Sequence, residues 1–96
     1  MHAVIRTYSG PAAKKVVDLL ESQKNEIEDL IRSVKGFVSY SLLRTTDGGA
    51  SVTVCQDKAG TDESVRVARE WLQKNTSSMN VNPPVVTEGP IILQLT

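Results

Sequence analysis

A switch of hydrophobic period, made twice, constrains this chain more than any other feature. A short strand-like run gives way to a stripe spaced at three and four residues, which returns to alternation. Helix and strand periods cannot stand in for each other, so each switch marks an element boundary. His2 to Tyr8 contains Val4, Ile5, Thr7 and Tyr8 and stops at Ser9-Gly10-Pro11, which reads as strand. From Pro11, a good first helical residue, Ala13, Val16, Val17, Leu20, Ile27, Leu30, Ile31 and Val34 form one stripe, with a polar gap at Gln23-Lys24. That predicts a long helix ended by Gly36 in the left-handed region.

Phe37 to Thr45 then predicts a strand, with Val38, Tyr40 and Leu42 on one face and Phe37, Ser39, Ser41 and Leu43 on the other. Asp47-Gly48-Gly49 is the expected hairpin turn, and Ala50 to Gln56 the returning strand. Gly60-Thr61 is the expected cap of a second helix carrying Val65, Ala68, Trp71 and Leu72. Asn75 to Pro84 reads as loop. The last strand is expected over Ile91 to Leu95, with Val85-Val86 as an extension and Gly89-Pro90 as a break.

Strand, helix, strand, strand, helix, strand is the α+β, ferredoxin-like βαββαβ order. Right-handed crossovers put both helices on one face of a four-stranded antiparallel sheet. With 96 residues the chain is one domain, 1–96, small enough that burying more surface in a partner helps it. The uncovered sheet face and the apolar Ile91-Ile92-Leu93 predict a homodimer packed sheet to sheet.

Charge excludes several occupations. Lysine plus arginine and aspartate plus glutamate number 11 each, with no basic cluster, so neither nucleic acid nor an anionic membrane is an expected partner. The single cysteine, Cys55, allows no internal disulfide and no thiolate metal cage, and fits a reducing compartment. Arg6 falls where a signal peptide would be apolar, and no run reaches membrane-spanning length, so a cytoplasmic protein is expected. Strand three has no aromatics for stacking RNA bases, and Ser9-Gly10-Pro11 has neither the paired cysteines of a metal chaperone nor the glycines of a phosphate cradle.

Lys35-Gly36-Phe37-Val38-Ser39-Tyr40 resembles the helix-to-strand junction of the dimeric α/β barrel proteins, in particular the antibiotic-biosynthesis-monooxygenase-like domains. The likeness extends to the opening strand, Asp47-Gly48-Gly49, the acidic-capped helix with Trp71-Leu72, and Val86-Thr87-Glu88-Gly89. It implies a homodimer whose two sheets form a barrel, each subunit keeping a pocket between sheet and helices. The members range from cofactor-free oxygenases acting on polyketide quinols to haem-degrading enzymes and proteins of no known activity.

Haem degradation is not expected. The haem-degrading members surround haem with an Asn on strand one, a Trp on helix two and a His about ten residues on. Here Trp71 matches, but strand one offers Ile5 and Thr7, and Ser78-Met79-Asn80-Val81 contains no histidine. His2, the only imidazole, reads as a solvated terminal residue.

The expected site is therefore a pocket of Trp71, Ile5, Thr7 and Phe37, with Tyr40 and Tyr8 as candidate acid or base groups, and no cofactor or metal. Each candidate has a plainer reading: Trp71 as core, the tyrosines as packing residues, Cys55 as a small hydrophobe. Arg6, a charge inside a central strand, must bridge the dimer or anchor an anion, and the dimer bridge is the favoured reading. Two functions follow: a cofactor-independent monooxygenase for a small aromatic substrate, or a non-catalytic dimer that binds a small apolar ligand. Polar groups converging on the cavity favour the first. A purely apolar wall favours the second.

Overall fold

The computed structural model describes Met1–Thr96. Its elements run β1 (His2–Tyr8), α1 (Ala13–Ser22), α2 (Lys24–Arg32), β2 (Phe37–Thr45), β3 (Gly48–Cys55), α3 (Lys58–Asn75) and β4 (Val85–Pro90). The four strands form one antiparallel sheet in the order β2-β3-β1-β4. This is the ferredoxin-like α+β fold.

The first crossover is two helices, not one. At Gln23 the backbone leaves helical values (φ −108°, ψ 25°). The apolar stripe has no anchor there, and Ser22 Oγ donates 2.8 Å to the Leu19 carbonyl, a local bond that competes with the helical ladder. Gly36 sits at φ +82°, the left-handed position expected of it. The cap of α3 is Asp57, not Gly60-Thr61: its carboxylate accepts from the Gly60 backbone N–H at 3.0 Å. Gly48 and Gly49 also lie in strand instead of making the turn. A Cβ on Gly48 would stand 2.7 Å from the Ala13 Cβ, and one on Gly49 2.6 Å from Val17 Cγ2. Both glycines let α1 press onto β3.

The final strand is Val85–Pro90, and Ile91–Leu95 lies beyond it, reversing the expectation. The β4 strand pairs with β1 alone and forms a sheet edge. Ile91 N–H donates 2.9 Å to the Met1 carbonyl, so Met1 and Ile91 form a hydrogen-bonded pair and His2↔Pro90 the alternate kind. The missing N–H of Pro90 therefore faces the open edge, where no ladder bond is lost.

Register divides the sheet into two faces. Val4, Arg6 and Tyr8 of β1 share a side with Ser51 and Thr53 of β3 and with Tyr40 and Leu42 of β2, beneath the helices. A bulge between Phe37 and Ser39 brings Phe37 to this side as well, against the simple alternation. Tyr8, Ala13, Val16, Leu20, Ile27, Ile31 and Trp71 form the core. The opposite face carries Ala3, Ile5, Thr7, Ser39, Ser41, Leu43, Ala50, Val52, Val54, Val85, Thr87 and Gly89, and no charge. Ile5 is 39% exposed, Leu43 46% and Val85 63%. Beyond β4, Ile92, Leu93 and Leu95 are largely exposed.

Candidate functional site

The layer between helices and sheet holds a cleft of about 250 Å³ at the α2–β2 end. Leu20, Ile27 and Ile31 form one wall; Phe37, Tyr40 and Leu42 form the other. Lys24, Glu28 and Arg32 stand at its rim. The helical period produces this division, since Ile27 and Ile31 turn inward while Glu28 and Arg32, joined at 3.0 Å, remain exposed. The Arg32 guanidinium lies 5.8 Å from the Phe37 ring centroid. An apolar slot with charges at its mouth can take a ligand with an apolar body and polar ends.

Tyr40, with Leu20, Ile27 and Ile31, lines both this cleft and a smaller void that Arg6, Tyr8, Trp71 and Leu72 also border. That void is about 10 Å³, room for no more than one water. Burial pushes the Tyr40 and Tyr8 phenols above their ordinary value, with the nearby Arg6 guanidinium pulling the other way. Both phenols are therefore held protonated and can donate a hydrogen bond.

Trp71 is 7% exposed and its indole N–H donates 2.9 Å to Glu26 Oε1. It backs the site as packed core. Ile5 and Thr7 project from the other face of the sheet, so they do not share the Trp71 layer, because strand alternation separates them from Val4, Arg6 and Tyr8. Phe37 and Tyr40 are the two expected residues that meet in one cleft. The rim residues Lys24, Glu28 and Arg32 were not anticipated; their one-turn spacing beside the inward Ile27 and Ile31 was the available signal.

Two further readings change. Arg6 points under the helices and is 6% exposed, so it is turned away from the uncharged face where a dimer bridge was expected. Its Nε has no hydrogen-bond partner, and its guanidinium lies 5.5 Å from the Tyr8 ring centroid. His2 is also buried, not solvated, with Nδ1 2.8 Å from Thr61 Oγ1. That hydroxyl gives its own proton to the Lys58 carbonyl, so the imidazole carries N–H on Nδ1 and donates. Nε2 is 3.8 Å from Glu88, which also pairs with Lys58 at 3.2 Å. Cys55 is fully buried and burial raises its thiol, which removes it as a nucleophile. No three His, Cys, Asp or Glu side chains cluster as a metal centre requires. No helix is long and apolar enough to cross a membrane.

Neither family models nor curated proteins match the sequence. Solved structures do. A protein of unknown function from Nitrosomonas europaea superposes with a TM-score of 0.71 at 16% identity, over 99% of this chain and 91% of the other. A Bordetella bronchiseptica protein assigned as an antibiotic biosynthesis monooxygenase gives 0.66 at 13% identity, over 96% of both chains. A monooxygenase of Streptomyces coelicolor, solved with nanaomycin D, gives 0.56 at 24% identity, over 99% of this chain and 90% of the other. The chain has the fold of the antibiotic-biosynthesis-monooxygenase-like proteins.

Proposed function

We propose that the protein is a homodimeric, cofactor-independent monooxygenase whose α2–β2 cleft binds a small hydroxylated aromatic molecule. The observation that carries this reading is Tyr40, a phenol held protonated in the wall of an apolar slot with a buried cation behind it. A ring methylene conjugated with a ring carbonyl loses a proton to solvent water when the carbonyl oxygen can take the charge. Tyr40 would donate its O–H to that oxygen, stabilising the enolate in a water-poor setting. The electron-rich carbon supplies the electrons for O₂ itself: CH₂ and O₂ become C=O and H₂O, one oxygen atom entering the ring and the other leaving with both hydrogens. The oxygenases among proteins of this fold, including the nanaomycin-bound monooxygenase, are consistent with such a substrate class.

Homodimerisation through the uncharged sheet face is supported by its exposed Ile5, Leu43 and Val85 and by the exposed Ile92, Leu93 and Leu95 beyond β4. A stable interface of this kind buries more than ~2,000 Å².

The test is oxygen uptake with 1,8-dihydroxy-9-anthrone in the presence of a chelator. Wild type should consume oxygen well above the spontaneous rate, and Tyr40→Phe should slow it about 100-fold, the scale for one oxyanion donor. Uptake at the spontaneous rate, or an unaffected Tyr40→Phe, overturns the oxygenase. A second reading, a ligand-binding dimer without catalysis, draws on the absence of a histidine or buried carboxylate in the cleft. Saturable binding of the anthrone without uptake selects it.

A further inference from the structure

At the other end of the same layer, between α3 and the segment leading into β4, is a groove of about 380 Å³. Arg6 forms part of its wall and also borders the void behind Tyr40, so this one guanidinium sits between the two. Buried charges are ordinarily paired, because removing them from water is costly. Arg6 is 94% buried by its 6% exposure, yet none of the chain's ion pairs includes it and its Nε has no acceptor. Arg69, on the groove's outer wall, also has no ion pair, and no acidic side chain lines the groove. Leu72, Val81 and Val86 provide apolar wall, while Gln73 and Asn82 add amide donors.

We propose that this groove is a second binding site, for a small organic anion whose carboxylate pairs with Arg6 while its apolar body lies against Leu72, Val81 and Val86. Two cations without an acid select negative charge; the apolar walls select an organic anion over phosphate. The site shares Arg6 with the wall behind Tyr40, but its occupancy is read by binding alone, without oxygen, so its failure and that of the oxygenase are distinguishable.

The test uses the whole protein with 1-naphthoate as probe and 1-naphthalenemethanol as its neutral counterpart. The side-chain Nε–Hε resonance of Arg6, identified by its loss in Arg6→Lys, should shift on adding naphthoate and saturate. The acid should bind at least about tenfold more tightly than the alcohol, the scale of one charge-assisted contact. Arg6→Met should abolish the preference without lowering the urea midpoint, since it breaks no pair; Arg6→Lys should keep part of it. Equal affinity for acid and alcohol overturns the proposal, as does a strongly destabilised Arg6→Met, which would mean that the charge is paired within the chain. A resonance indifferent to naphthoate but moved by dilution to monomer also overturns it, because the anion would then come from the partner subunit.

Discussion

Replacing Trp71 by alanine tests whether the layer beneath the helices is packed as described. The indole is 7% exposed and packed with Tyr8, Leu20, Ile27 and Ile31, beside a void of about 10 Å³. Burying a side chain of this size removes roughly 150–250 Å² from water, about 4–6 kcal/mol at 25 cal/mol per Å² as an upper bound. Truncations of buried aromatics cost about 3–5 kcal/mol once partial collapse is allowed for. Losing the bond to Glu26 adds little, because that carboxylate is exposed and water replaces the indole. We expect a loss of about 3–5 kcal/mol, a large share of the roughly 5–15 kcal/mol typical of such domains. Trp71→Phe, which keeps most of the packing, should cost clearly less. The assay is urea unfolding followed by circular dichroism at one protein concentration, since Trp71 is the only tryptophan and dimerisation makes the midpoint concentration-dependent. A loss below about 2 kcal/mol, with indole fluorescence readily quenched by acrylamide, would mean that the ring borders open space and that the packing described is wrong.

The remaining predictions concern the interface, the phenols and haem. Wild type should sediment as a dimer at low micromolar concentration, and Ile5→Lys, at the centre of the uncharged face, should yield folded monomer; a monomeric wild type removes the interface. Tyr8 and Tyr40 are the only tyrosines, so tyrosinate absorbance reports on them alone and should develop above the ordinary pH of 10.0 in the folded protein. Because both values are raised by folding, their contribution to stability is complete below pH 10.0 and lost as the pH climbs through the folded values; normal titration without loss of stability contradicts their burial. Added haem should show no stoichiometric binding and no iron–histidine band, as His2 is held by Thr61 and faces Glu88; a clean titration abolished by His2→Ala would show otherwise.

The element order and the single layer of helices were legible because Val4, Tyr8 and the Val16–Val34 stripe carry unambiguous periods. The orientation of β1 was not. Ala3, Ile5 and Thr7 are at least as apolar as Val4, Arg6 and Tyr8, so alternation alone cannot say which set meets the helices, and it is Arg6 rather than Ile5 or Thr7 that lies beneath them. The last strand was misplaced for a related reason. Ile91–Leu95 is the more apolar run, but pairing with β1 is taken by the β-branched Val85-Val86-Thr87, and an edge tolerates Pro90. The bulge that brings Phe37 beside Tyr40 depends on one extra residue in β2, which periodicity does not register. The cleft rim is not legible in the sequence because Lys24, Glu28 and Arg32 look like any solvated helix surface until β2 is packed beside them.

Single turnover under ¹⁸O₂ asks whether the new oxygen comes from O₂. With the anthrone bound and metals chelated, the product should carry one labelled oxygen at the former methylene, and its formation should be slowed in Tyr40→Phe. Bound anthrone recovered unchanged, or a product whose new oxygen comes from unlabelled water, would contradict the oxygenase.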